Sequence, residues 1–144
     1  MPITAHEALC SGCRTCEILC ALTHFKEMNP KKAAIRVEGE FPVPGRFRIH
    51  LCDQCGKCAE ACLAGAIGFK DSAYVVDDAL CTGCRACVSA CPSSAVFVHP
   101  DLKAPIICNQ CGECVEWCPR GVLAGAGRLE GGEQACRTDT AAEY

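Results

Sequence analysis

Cys81-Thr82-Gly83-Cys84-Arg85-Ala86-Cys87-Val88-Ser89-Ala90-Cys91-Pro92 is a C-x2-C-x2-C-x3-C-P run. Tight turns between the first three cysteines can aim their sulfurs at one point, which is the geometry a cubane cluster needs. In runs of this spacing the fourth cysteine ligates a different [4Fe-4S] cluster from the first three. One run is therefore half of a two-centre unit. Three more runs share its internal spacing: Cys10, Cys13, Cys16, Cys20; Cys52, Cys55, Cys58, Cys62; and Cys108, Cys111, Cys114, Cys118. One rule thus covers sixteen of the seventeen cysteines and implies four [4Fe-4S] clusters.

The totals bound what else the chain can be. Its 144 residues allow one compact body or two small halves. The 50% hydrophobic content includes the cysteines, and only five Phe, one Trp and two Tyr offer large packing surfaces. A disulfide scaffold is opposed by the odd cysteine count, by the cluster spacing and by the lack of an apolar leader in Met1-Pro2-Ile3-Thr4-Ala5-His6. A reducing cytoplasm is the expected compartment. No apolar run approaches membrane-spanning length, and a formal charge of −3 points to neither nucleic acid nor membrane.

Taken in order, the motifs alternate. Cys10-Ser11-Gly12-Cys13-Arg14-Thr15-Cys16 matches the third run, and Cys52-Asp53-Gln54-Cys55-Gly56-Lys57-Cys58 matches Cys108-Asn109-Gln110-Cys111-Gly112-Glu113-Cys114. This A-B-A-B order reads as a duplicated two-motif unit. Short helices are expected at Cys16–His24, Cys58–Leu63 and Cys114–Pro119. Hairpins are expected from residues 33–38 with 46–51 around Pro42-Val43-Pro44-Gly45, from 66–69 with 73–76 around Asp71-Ser72, and more weakly from 95–98 with 105–107. The class is α+β. Residues 125–144 lose all periodicity and read as a loose or partner-wrapping tail holding Cys136, a free thiol.

Spacing leaves the pairing of motifs open. Eighteen residues separate Cys62 from Cys81, which suits an exchange between motifs two and three, but the gap from Cys91 to Cys108 is also short. Sequential pairing, one with two and three with four, is the other solution. Structural zinc is the remote alternative for so many cysteines, although its sites use pairs separated by a longer spacer. His6, His24, His50 and His99 form no ligand pattern and read as surface or packing residues, with tuning of a neighbouring cluster by a hydrogen bond as the minor reading, and Trp117 reads as packing beside Cys118. Lys31, Lys32 and Arg36 lie in a basic stretch. It reads either as a solvated hairpin face or as a docking surface for an acidic partner.

The span from Cys10 to Cys118 resembles the four-cluster electron-transfer subunits of molybdenum and tungsten oxidoreductases. Cys16-Glu17-Ile18-Leu19-Cys20, His24-Phe25 and Asn29-Pro30-Lys31-Lys32-Ala33-Ala34-Ile35-Arg36-Val37 resemble more narrowly the small iron–sulfur subunits of tungsten aldehyde oxidoreductases and their benzoyl-CoA reductase relatives. Cys20-Ala21 and Cys62-Leu63 depart from the proline that many relatives place after the fourth cysteine. The resemblance implies a duplicated bacterial 2[4Fe-4S] ferredoxin-like fold over 1–124, with an inner module near 52–92 and an outer module from 1–51 plus 93–124. It also implies nested ligand sets: Cys10, Cys13, Cys16 with Cys118; Cys108, Cys111, Cys114 with Cys20; Cys52, Cys55, Cys58 with Cys91; and Cys81, Cys84, Cys87 with Cys62.

No nucleophile with a positioned base, nucleotide fingerprint or catalytic constellation is evident, so the chain reads as an electron relay rather than an enzyme. The implied partners are a large tungsten- or molybdenum-cofactor subunit and a flavin- or NAD-binding subunit or soluble ferredoxin. A free-standing polyferredoxin is the alternative. With so few large side chains, ligation present only in the folded state must supply much of the cohesion. Iron-free protein is therefore expected to show no cooperative thermal transition by circular dichroism. A sharp transition would contradict this.

Overall fold

The computed structural model describes residues 2–125. Cys136 and all of the expected tail except Gly125 lie outside the described residues. The elements run β1 (Thr4–Ala5), α1 (Thr15–Phe25), β2 (Arg36–Gly39), β3 (Phe47–His50), α2 (Lys57–Glu60), β4 (Ile67–Lys70), β5 (Ala73–Val76), α3 (Ala86–Ala90), α4 (Glu113–Glu116) and β6 (Leu123–Ala124). The result is an α+β body of short helices and two-stranded antiparallel sheets.

Each cysteine loop is shaped by two left-handed residues, one directly before the second cysteine and one directly after it. In the A loops these are Gly12 and Arg14 (φ 71° and 59°) and Gly83 and Arg85 (76° and 62°). In the B loops they are Gln54 and Gly56 (58° and 81°) and Gln110 and Gly112 (61° and 81°). The backbone needs positive φ at both sites, and each motif has glycine at only one. The side chain at the other site bears a strain of about 1–2 kcal/mol. The A-B alternation is thus an alternation in where the glycine falls. The second left-handed residue also serves as the N-cap of α1, α2, α3 and α4, none of which has a side-chain cap.

Three helices stop short. α2 ends at Glu60 and α4 at Glu116, before Cys62 and Cys118 rather than beyond them, and α3 ends before Cys91. At those ends the fourth cysteine Sγ accepts the N–H four residues on: Ala66 to Cys62 at 3.3 Å, Ala95 to Cys91 at 3.3 Å and Val122 to Cys118 at 3.4 Å. α1 instead runs on through Cys20, whose sulfur takes the distant Ala34 N–H at 3.3 Å.

The first two hairpins form in register, with Val37 opposite Ile49 and Phe69 opposite Tyr74. Asp71 and Ser72, at φ 51° and 68°, make the turn with both central residues left-handed that suits tight hairpins. The weak third hairpin is reduced to a single bridge between Phe97 and Ile106. Pro105 lacks the N–H a longer ladder would use. Sequence reading did not foresee β1 pairing antiparallel with β6, with Thr4 opposite Ala124 and Ala5 opposite Leu123. This pairing joins the two ends of the described chain.

Helices pack as α1 on α4 and α2 on α3. Small side chains dominate the core around them: Ala21, Ala33 and Ala95 are wholly buried, alongside Ile3, Ile35, Ile67, Val96, Ile106 and seven cysteines. Bulky residues are used sparingly, so space is left where sulfurs converge.

Gly56 and Gly112 occupy equivalent places with identical φ, yet their surroundings differ. A Cβ on Gly56 would sit 2.5 Å from the Tyr74 hydroxyl, whereas one on Gly112 would meet nothing within 4 Å. Gly112→Ala should cost about 1–2 kcal/mol, the left-handed penalty alone. Gly56→Ala should cost a further overpacking term of about 1–3 kcal/mol. Thermal unfolding of the metal-loaded variants checks the order, and equal losses would contradict it.

Candidate metal centres

The loops turn their sulfurs into apolar cavities. One cavity is lined by Cys62, Cys81, Cys84 and Cys87, with Ile67 and Val98 on its walls. A second holds Cys10, Cys13, Cys16 and Cys118 against Val37 and Ile49. A third holds Cys20, Cys108, Cys111 and Cys114 against Ile35 and Leu51. The remaining cysteines are drawn together by proximity. Charge on Cys52 is opposed by Cys58 and Cys91, and charge on Cys58 by Cys91 and Cys55.

The sets adjoin one another in series. Cys114 feels Cys16 of a neighbouring set, Cys108 feels Cys52, and Cys87 feels Cys58. The order is therefore the Cys10 set, the Cys108 set, the Cys52 set and the Cys81 set. At the two ends, Cys13 and Cys84 are exposed. Exposed Leu9 and Trp117 adjoin Cys10 and Cys118 along the chain, exposed Leu63 and Leu80 adjoin Cys62 and Cys81, and Arg14 and Arg85, directly after Cys13 and Cys84, are exposed as well. Trp117 is 57% exposed rather than packed away.

Burial pushes the inner thiols upward: Cys52 to about 11 and both Cys16 and Cys108 to about 12, with the neighbouring Glu17 carboxylate adding to the effect at Cys16. Cys114 rises further for the same reason. Exposed Cys13 is lowered by the Thr15 hydroxyl, and Cys84 by the Ala86 backbone N–H. Four sulfurs in an apolar cavity cannot be thiolates together unless a cationic centre lies between them, and a coordinating metal deprotonates a thiol outright. The donor chemistry therefore fits a metal group. A single tetrahedral ion would require sulfurs about 3.8 Å apart, from zinc–sulfur bonds of about 2.3 Å. Among the described residues no three His, Cys, Asp or Glu groups are close enough to hold one ion, and the sulfurs ring a space instead. A multi-iron cluster fits that arrangement.

Backbone donors complete the environment. Gly12, Gln54 and Gln110 each give an N–H to the first cysteine of their motif at 3.4 Å. Three polar side chains lie near the sulfurs: His24, for which the sequence offered cluster tuning only as a minor reading, and two glutamines that it passed over. His24 Nε2 lies 3.4 Å from Cys111 Sγ, and burial holds its pKa below the usual imidazole range. Gln54 and Gln110 each reach their own motif's first cysteine, at 3.4 and 3.5 Å. The recurrence of glutamine in both B motifs was a signal, but it was read only as a mark of duplication.

The basic stretch is not exposed throughout. Lys32 is not offered to a partner, because it is 5% exposed and its ammonium lies 2.8 Å from Glu27 and 3.6 Å from Asp101. The Glu27 hydrogen bond raises its pKa. Arg36 lies 4.6 Å over the Phe97 ring and donates to the Lys31 carbonyl. Lys31 is exposed. His50 pairs with Glu38 at 2.9 Å, and His99 accepts the Asp101 N–H.

Residues 51–95 match the 4Fe-4S dicluster domain family, and residues 108–122 match a 4Fe-4S binding domain family. The polyferredoxin-like subunit of aliphatic sulfonate oxidoreductase from Pyrococcus furiosus is 39% identical over 107 residues, covering 72% of this chain and 61% of that protein. The chain thus spans about three-fifths of that relative. The putative electron transport protein YsaA of Escherichia coli is 32% identical over 118 residues, covering 76% of this chain and 74% of that protein. A chain of the solved active site complex BamBC of Benzoyl Coenzyme A reductase with Benzoyl-CoA aligns at a TM-score of 0.48 and 24% identity, over 85% of this chain and 76% of that one. A likeness of that size carries no argument here.

Glu17 links the Cys10 set to the first hairpin. Only 1% exposed, it accepts the Val37 N–H at 2.6 Å, and Arg14 lies 3.8 Å away. Glu17→Ala should lose about 1–3 kcal/mol, the cost of a buried donor left without its acceptor. Glu17→Gln keeps an acceptor and should lose less. Denaturant unfolding of the metal-loaded variants measures the difference, and equal losses would count against this account.

Proposed function

The chain belongs to the 4Fe-4S ferredoxin-type electron-transfer proteins, and we propose that it relays single electrons as a subunit of an oxidoreductase complex. In this reading it stands between a tungsten- or molybdenum-cofactor catalytic subunit, of aldehyde oxidoreductase or benzoyl-CoA reductase type, and a ferredoxin-, flavin- or NAD-linked redox partner. The observation that carries the reading is the series of four cysteine sets, each within charge reach of the next. The Pyrococcus furiosus relative is a polyferredoxin-like subunit of an oxidoreductase, which supports membership in a complex.

Four [4Fe-4S] clusters would be held in the nested sets: Cys10, Cys13, Cys16, Cys118; Cys20, Cys108, Cys111, Cys114; Cys52, Cys55, Cys58, Cys91; and Cys62, Cys81, Cys84, Cys87. The three cavity linings support this pairing over the sequential one. Such clusters supply one-electron uptake and release. The rest is the work of the chain. Apolar walls exclude water, and the N–H groups aimed at the first and fourth cysteines stabilise negative charge on sulfur. The nested sets divide the chain into an inner module near 52–92 and an outer module from 1–51 plus 93–124. Exposed Leu9 and Trp117 at one end, and Leu63 and Leu80 at the other, suit docking of a different partner at each end.

Protein purified without oxygen from its own host should contain sixteen irons per chain, four for each set. Tungsten and a large co-eluting subunit are expected in the same peak. Sixteen irons with no companion would instead make the chain a free polyferredoxin. Pairing is tested by Cys91→Ser, which should alter the same electron paramagnetic resonance signal as Cys58→Ser. A match with Cys114→Ser would restore sequential pairing.

A further inference from the structure

We propose that Gln54 and Gln110 form a reciprocal junction that locks the two middle cysteine sets together and stabilises negative charge on both. The proposal rests on the relay reading above. Gln54 Nε2 donates to the Cys108 carbonyl at 2.8 Å and to its own Cys52 Sγ at 3.4 Å. Gln110 Nε2 returns the pattern, to the Cys52 carbonyl at 3.4 Å and to Cys108 Sγ at 3.5 Å. Each side chain therefore touches both sets, across more than fifty residues of sequence.

The amide orientations are determined by their other partners. Tyr74 N–H donates to Gln54 Oε1 at 2.9 Å, and Ile3 N–H donates to Gln110 Oε1 at 2.8 Å. With each oxygen so engaged, the NH2 group must face the sulfur and the opposite carbonyl.

The backbone supplies an independent argument. Gln54 and Gln110 sit at φ 58° and 61°, where the A motifs place Gly12 and Gly83. A loop of this shape forms without any side chain there, and glycine would relieve the left-handed strain. The glutamines occupy the position despite that cost, and what they add is the pair of donors at the junction. An N–H directed at a ligand sulfur favours the more negative state of the centre, and it acts more strongly in an interior of low dielectric. Because the donors serve Cys52 and Cys108 together, they act on the two middle sets and leave the Cys10 and Cys81 sets untouched. They are positioning residues, since they reach the metal group only through cysteine.

The test uses the full chain, loaded anaerobically, with iron content and an electron paramagnetic resonance redox titration as readouts. Gln54→Gly and Gln110→Gly remove the donors while leaving the loop in a conformation glycine favours. Gln54→Glu and Gln110→Glu remove the donors but keep the acceptor for Tyr74 or Ile3. All should retain the iron of the parent protein. Two of the four midpoint potentials should fall while the other two stay in place, and the magnetic interaction between the shifted pair should weaken. Four unchanged potentials, or four shifting equally, would overturn the junction. Loss of iron from both the Gly and the Glu variants would make the pair a folding element and overturn it as well. A parent protein with far fewer than sixteen irons would instead overturn the relay reading beneath it.

Discussion

Sulfur convergence inside apolar walls is the constraint on which the structure depends. Sixteen cysteines lie among the described residues, none in a disulfide, and burial pushes several of their thiols above the ordinary pKa. A chain with so few large side chains has little other apolar material from which to build a core. Cysteine and alanine fill that role, so the packing around Ile3, Ile35 and Ile106 and the ligand shells are the same atoms. Folding and metal loading therefore act on one set of residues.

Everything local follows from the turn that each loop must make. Two left-handed residues flank the second cysteine, the second of them opens a short helix, and the fourth cysteine then takes an N–H from further along the chain. Beyond the ends of the short helices a cysteine sulfur, rather than a carbonyl, accepts one N–H of the following chain. Three motifs repeat this at a separation of four residues, while α1 is long enough to place Cys20 under the Ala34 N–H instead. That difference makes α1 the longest helix and gives the α1–α4 pair a broader contact than α2–α3.

Polar residues drawn inward answer the same need for compensation. Glu17 is buried because the Val37 N–H would otherwise lack an acceptor, and Lys32 is buried because Glu27 and Asp101 surround its ammonium. Exposed side chains show the opposite tendency. Leu63 and Trp117 stand in solvent beside cysteines of the two terminal sets, and Met28, Phe41 and Phe69 are exposed as well. A protein that must hand electrons to other proteins has a use for that arrangement, since apolar rims favour contact where sulfur is near the surface.

Reading the sequence alone established what depends on neighbours along the chain. Cysteine spacing announced the centres, and the glycine and glutamine positions announced two loop types. Asp71-Ser72 and the Pro42–Gly45 turn located two hairpins. Each of these is set by a few consecutive dihedral angles, so a local pattern carries it. Tertiary structure alone decided which fourth cysteine lines which cavity, that Thr4–Ala5 would pair with Leu123–Ala124, that Lys32 would turn inward, and that Gln54 and Gln110 would cross to each other's motif. These contacts join residues that are mostly tens of positions apart. Their geometry comes from how the α1–α4 and α2–α3 pairs pack, and no spacing rule within a single motif encodes that packing.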